Sequence, residues 1–153
     1  NYGKSSLLSR LFSPKIDKLL FAASKADHVT PEQHKNLTSL FNQLIHSTKQ
    51  NLGYEGVEMQ TLALSSVKAT LAGKGKHKGD VIPVIQGYTE SRERPVTLFP
   101  GEVPAQLPEA SYWDENEFSF ISFMPYQSIN EHQPLPHLRL DQALQFLLGD
   151  KMK

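Results

Sequence analysis

The chain has 153 residues, 39% apolar and 9% aromatic, and its 16 Lys and Arg balance 16 Asp and Glu. That is one domain's worth of chain, able to bury roughly 68–70% of its unfolded surface, so neither a disulfide nor a structural metal is needed to hold a fold. Cysteine is absent, which excludes thiol catalysis, a disulfide framework and cysteine-based zinc sites and fits a reducing compartment. The longest purely apolar run, Leu19 to Ala23, is far short of the ~18 residues of a membrane span, and no signal sequence is legible. A cytoplasmic protein, neither secreted nor membrane-spanning, is expected. Residue 1 is Asn, as expected of a processed start or of a piece of a longer protein.

The neutral total conceals an asymmetry. Residues 1–78 carry 11 Lys/Arg against 5 Asp/Glu, net +6, and residues 79–153 carry 5 against 11, net −6. The two halves should attract each other. The cations of the first half are spread singly, with no interleaved aromatic platform, so nucleic-acid binding is not expected.

In chain order, Ser5 to Phe12 places Leu7, Leu8 and Leu11 at helical spacing before Ser13-Pro14 stops it, and reads as the last turns of a helix. Ile16 to Ala23 reads as a strand buried on both faces of a parallel sheet. Thr30-Pro31-Glu32-Gln33 predicts a helix start, with Thr30 as N-cap, Pro31 in the first turn and Gln33 completing a capping box. That helix should run to about Gln50, burying Leu37, Leu40, Phe41, Leu44 and Ile45 and leaving His34, Lys35, Asn42 and Gln43 elsewhere. After a turn at Gly53 and Gly56, Val57 to Leu64 predicts a second strand. Helix, strand, helix, strand is the alternation of a parallel α/β sheet.

Beyond residue 70, Gly73-Lys74-Gly75-Lys76-His77-Lys78-Gly79 has no apolar anchor and predicts a mobile loop. Val81 to Gln86 and Pro95 to Phe99 read as strands separated by a polar turn, and Pro100 to Pro108 as irregular. Phe118, Phe120, Ile121 and Phe123 around Trp113 should anchor their region to a core. A last amphipathic helix is predicted from Leu140 to Leu148, closed by Gly149.

In open α/β sheets ligands sit beyond the C-terminal ends of strands, and two short polar motifs fall at two such ends. Ser24-Lys25-Ala26-Asp27 is close to N/T-K-x-D, and Ser66-Val67-Lys68 is close to S-A-K. In that order, with a capped helix between, they resemble the guanine-recognition half of a Ras-like P-loop GTPase. A carboxylate at Asp27 can accept from the N1 and 2-amino edge of guanine, at roughly 1.5–3 kcal/mol per charge-assisted bond. Adenine has no such donors. Lys25 can lay its stem along the base, the Val67 N–H can donate to O6, and the Ser24 hydroxyl can tie the loops. An Asp at this place is also an ordinary helix cap, and a K-x-D alone is weak.

The stretch from Ser6 to Thr30, with Pro83-Val84-Ile85-Gln86-Gly87, Leu98-Phe99-Pro100-Gly101-Glu102-Val103-Pro104 and the run from Pro134 to Lys151, resembles the YcjX family of bacterial stress-associated P-loop proteins over nearly the whole chain. The resemblance implies the C-terminal part of a cytoplasmic GTP-binding protein that uses GTP or GDP and Mg²⁺, with the phosphate loop and magnesium ligands upstream of residue 1. The parent would be a GTPase and this stretch alone inactive. Residues 1–72 would be the guanine-recognition half of the nucleotide domain, residues 73–137 a β-rich, Pro-rich extension and residues 138–153 a closing helix. Ser24, Lys25, Asp27, Ser66, Val67 and Lys68 would contact the nucleotide.

Gly3-Lys4-Ser5 imitates the tail of a phosphate loop, but the first Gly of that motif would fall before residue 1, and the resemblance implies that this segment belongs to the helix before the guanine-reading strand. His132, His137 and Asp141 have no metal-ligand spacing, and no G-x-S-x-G marks a hydrolase. The rival to nucleotide recognition is a non-catalytic interaction module whose Pro-rich surface, from Pro83 to Pro136, binds a protein.

Overall fold

A computed structural model describes residues 16–53, 56–90, 94–109, 111–112, 121–125 and 134–152. The expected helix from Ser5 to Phe12, the Gly3-Lys4-Ser5 segment, Trp113, Phe118, Phe120 and His132 lie outside them. The fold is mixed α/β. Strand β1 (Lys18–Ala23) pairs in parallel with β2 (Glu58–Ala63), in the register Lys18 to Glu58 through Ala23 to Ala63. Helices α1 (His34–Leu44) and α2 (His46–Gly53) cross between them, as a parallel pair requires.

Strand β1 is half-buried rather than buried on both faces. Among the described residues it has β2 on one edge and nothing paired on the other, so its apolar run is only partly covered. The long helix expected from Pro31 to Gln50 is broken. A single 3₁₀ turn (Pro31–Gln33) leads into α1, and Ile45 leaves helical geometry (φ −98°, ψ 8°) before α2 begins.

The capping box does not form. Thr30 makes no side-chain cap, and its buried hydroxyl has no hydrogen-bond partner among the described residues. Gln33 is committed elsewhere: its Nε2 donates to the Gly101 carbonyl at 2.6 Å, and its Oε1 accepts from Val103 N–H. Further along α1, Asn36 donates to the Val103 carbonyl (3.0 Å) and Ser39 to that of Ala105 (2.9 Å). Gln43 donates to Ala105 O (3.1 Å) and accepts from Leu107 N–H (2.9 Å). Residues three and four apart lie on one helix face, so this stripe acts as a neighbouring strand would for the irregular segment 101–107. Proline leaves that segment short of donors, and the two Gln amides take up the N–H groups of Val103 and Leu107.

The largest departure from expectation lies in the Gly- and Lys-rich stretch. It is strand β3 (Thr70–His77), joined to β4 (Asp80–Gly87) by the two-residue turn Lys78-Gly79, and β4 pairs in turn with β5 (Val96–Leu98). Both turn residues have positive φ, 51° and 96°, as the tight hairpin turns that match strand twist require. The β4 run Val-Ile-Pro-Val-Ile drives the pairing. Gly73 faces Val84 across the ladder, and a Cβ on Gly75 would lie 3.0 Å from a Val84 methyl, so bare backbone makes room for valine.

The last helix, α3 (Leu140–Leu148), has the expected bounds, although Gly149 closes it in right-handed geometry (φ −59°). It docks on β1 through Lys18, whose Nζ donates to the Phe146 carbonyl (3.1 Å) and pairs with Asp150 at 3.2 Å. That pair joins the basic half to the acidic one. Ile121 is 37% exposed, not core; Phe123 is buried.

The amide ladder makes a specific demand. Gln33→Ala should speed hydrogen exchange at the Val103 amide and Gln43→Ala at the Leu107 amide. Each loses about 1 kcal/mol of local protection, or roughly five- to tenfold in rate, with α3 unaffected. Unchanged exchange at both amides would contradict the ladder.

Candidate functional site

Strands β1 and β2 end side by side, with Ala23 opposite Ala63, so the two polar motifs leave the same sheet edge. The crossing between them is short. Leu64 N–H donates to the Ala23 carbonyl at 2.9 Å, and Ala26 N–H donates back to Leu64 O at 3.1 Å. Lys25 takes the left-handed conformation (φ 56°, ψ 34°) and starts a 3₁₀ turn at Ala26–His28. The reversal carries Asp27 inward, beneath the second loop.

Asp27 is 6% exposed. Its Oδ2 accepts from Ala69 N–H at 2.6 Å and Thr70 N–H at 3.0 Å, and the Thr70 hydroxyl donates to the Asp27 carbonyl. The carboxylate therefore caps no helix; it bridges to the start of β3. Its other oxygen, Oδ1, is buried with no hydrogen-bond partner among the described residues. A buried carboxylate oxygen left without a donor is costly, so Asp27 is an acceptor held at one oxygen and unsatisfied at the other.

The remaining predicted residues surround it unevenly. Ser24, Lys25 and Ser66 are exposed, and Val67 and Lys68 are half-buried. Ser65 is buried, and its hydroxyl donates to the Val67 carbonyl at 2.9 Å. Lys68 N–H is taken by the Pro136 carbonyl at 2.8 Å. The Val67 N–H, by contrast, meets no protein acceptor among the described residues. The structure brings Asp27 against residues 69 and 70; it shows no hydrogen bond from Ser24 to the second loop.

Three residues that the sequence pattern passed over shape the site. His34, expected away from the core, is 8% exposed. Its Nε2 lies 2.9 Å from the Ala26 carbonyl and its Nδ1 3.1 Å from Arg139 Nη2, while Arg139 Nη1 donates to the Ala63 carbonyl at 2.8 Å. Gly87 is the third, because a Cβ there would meet the Ala69 carbonyl and the Phe123 ring, both at 2.7 Å. A cavity of about 340 Å³ lies beside the His34–Arg139 pair, lined also by Lys35, Thr38, Thr61, Leu62 and Ala63. Asp27 and Val67 do not line it. The only advance sign of His34 was its position in the first turn after the K-x-D loop.

Among the described residues no cluster of His, Asp and Glu could hold a metal ion. His137 and Asp141 make an exposed pair at 4.0 Å. Burial pushes the His34 imidazole below its ordinary pKa of 6.5, the Ala26 carbonyl opposes that, and Arg139 adds to it. Burial also lowers His28, whose ring meets Phe123 edge-on at 5.4 Å.

For a histidine with a depressed folded pKa, the unfolded chain takes up the proton first. The associated stability is complete above the unfolded value of 6.5 and is lost as pH falls through the folded one. The thermal midpoint should therefore drop as pH falls below 6.5, and His34→Gln should remove part of that drop while leaving the share of His28. A drop of the same size in His34→Gln would assign the effect elsewhere.

The YcjX-like family, DUF463, matches residues 1–152. Over all 153 residues the chain is 51% identical to a protein named Ras-like GTPase YcjX from Escherichia coli K12, of which it covers 33%. It is 44% identical over 155 aligned residues to the protein of the same name from Shewanella oneidensis, covering 99% of this chain and 32% of that protein. The chain thus spans about a third of the length of these curated relatives. Among the described residues no helix is long and apolar enough to cross a membrane. By its match over nearly every residue, the chain belongs to the YcjX-like family.

Proposed function

We propose that this chain supplies the guanine-reading part of a cytoplasmic Ras-like GTP-binding protein. Its sheet edge would be that of a P-loop GTPase domain, followed by the Pro-rich extension and closing helix. The observation that carries the reading is the state of Asp27: one carboxylate oxygen fixed by two backbone N–H groups, the other buried with no donor among the described residues. Guanine presents two adjacent donors, N1–H and the 2-amino group, suited to such an acceptor. The Val67 N–H, also without a protein partner among the described residues, is a donor for O6. Because Oδ1 is enclosed, the base reaches it only with a local shift of the residues above it.

In this reading Lys25, already exposed in its left-handed turn, covers one face of the base. Ser24, Ser66 and Lys68 form the rim. The triphosphate and Mg²⁺ are held outside residues 1–153, and hydrolysis belongs to the longer protein, since phosphate neutralisation needs a glycine-rich cradle, a lysine and the metal. The rival reading, a Pro-rich surface that binds a protein, is weakened between residues 101 and 107, where α1 side chains already occupy the segment's backbone groups.

A site that satisfies a polar edge rejects an analogue lacking it by roughly 10⁴ or more, so the longer protein should prefer GTP to ATP by about that factor. Asp27→Asn should lower GTP affinity at least about a hundredfold and improve binding of xanthine nucleotides, whose 2-carbonyl suits an amide donor. Unchanged GTP affinity in that variant, measured by nucleotide titration, would sink the assignment.

A further inference from the structure

Two loops that must agree in position to read one base are both fastened to a third segment, residues 136–139. Leu138 exchanges a pair of backbone hydrogen bonds with Ser65, at 3.0 and 2.8 Å, and the Pro136 carbonyl takes Lys68 N–H at 2.8 Å. Ser65 and Lys68 are thereby pinned and Ser66-Val67 arch between them. Arg139 follows in the left-handed conformation (φ 55°, ψ 21°), an arrangement that costs a non-glycine residue energy and persists only where its surroundings hold it. Its guanidinium is held at two points, the Ala63 carbonyl at the end of β2 and Nδ1 of His34.

The second contact has a consequence for the first loop. Arginine has donors only, so His34 Nδ1 must be the accepting nitrogen and Nε2 must carry the hydrogen. Nε2 then donates to the Ala26 carbonyl, 2.9 Å away. Ala26 is fully buried, with its N–H given to Leu64 O at 3.1 Å. Both backbone polar groups of the residue before Asp27 are thus fixed, one by the exit of β2 and one, through His34, by Arg139. A lysine could not span both acceptors as a planar fork does.

Resting on the guanine reading, we propose that Pro136–Arg139 is a clamp that registers the two base-reading loops on each other, and that Arg139 is a specificity-determining positioning residue acting through His34. It touches no nucleotide. Its effect is on how closely Asp27 meets two donors at once, and a misplacement near 1 Å is enough to lose such recognition.

The test uses the full-length protein and compares affinities for GDP and IDP, whose base lacks the 2-amino group. Arg139→Lys and His34→Leu should each lower the GDP-to-IDP ratio at least about tenfold, toward one. His34→Gln, which keeps an amide donor and acceptor, should retain most of it. Arg139→Lys combined with His34→Leu should be no worse than His34→Leu alone, because the two act in one chain. A role in stability only would shift the thermal midpoint and leave the ratio intact, and that outcome overturns the clamp. Asp27→Asn separates the two ideas. If it collapses the ratio while Arg139→Lys and His34→Leu do not, the guanine reading stands and the clamp falls; if Asp27→Asn leaves the ratio unchanged, both fall.

Discussion

A single carboxylate joins the two halves of the site. Asp27 sits in the middle of the 3₁₀ turn that follows β1, yet its hydrogen bonds run to the amides of Ala69 and Thr70, where β3 begins. Each is a charge-assisted bond worth roughly 1.5–3 kcal/mol, between segments that the sequence separates by 42 and 43 residues. Any movement of the β3–β4 hairpin at its base is felt by that acid, and any ligand that engages the acid is felt by the hairpin. The absence of a side chain at Gly87 lets β4 pass close to the Ala69 carbonyl and keeps this junction tight.

Among the described residues the apolar core is slight, and hydrogen bonds fasten the irregular segments to it. Among the described residues the buried apolar side chains are Ala26, Leu62, Ala63, Val84, Ile85, Phe123 and Ala143, three of them alanines. Irregular segments are fastened instead by side-chain amides and a guanidinium aimed at backbone groups. Segment 101–107 is held along one face of α1, and segment 136–139 is held by Ser65, Lys68, Ala63 and His34. Such fastenings are directional, and they fix registers that a small apolar contact would leave loose.

Where apolar periodicity was strong, the sequence predicted the elements well. Strands β1, β2, β4 and β5 and helix α3 fall where the patterns place them, and β1 and β2 are parallel with both motifs at one end. It misled where an element takes its order from a partner. Strand β3 contains Gly73, Lys74, Gly75 and Lys76, a composition that reads as loop, and is a strand because Val84 and its neighbours need a facing ladder. Gln33 satisfies the local rule for a capping box but spends its amide on residues 101 and 103. His34 looked like a solvent residue because the group that buries it, Arg139, lies 105 positions away. Of the candidate site, Asp27 and Val67 follow β1 and β2 at the shared sheet edge where the motifs place them; the contacts of Pro136, Leu138 and Arg139 were not legible, since no local pattern encodes them.

The most direct measurement is a structure of the full-length protein with GDP bound. The account predicts the guanine ring against Lys25, with N1 and the 2-amino nitrogen within hydrogen-bond distance of the Asp27 carboxylate and O6 facing Val67 N–H, while Ala69 and Thr70 still hold the other oxygen. A nucleotide whose base sits elsewhere, for instance in the cavity beside His34 and Arg139, with Asp27 still enclosed, would contradict it.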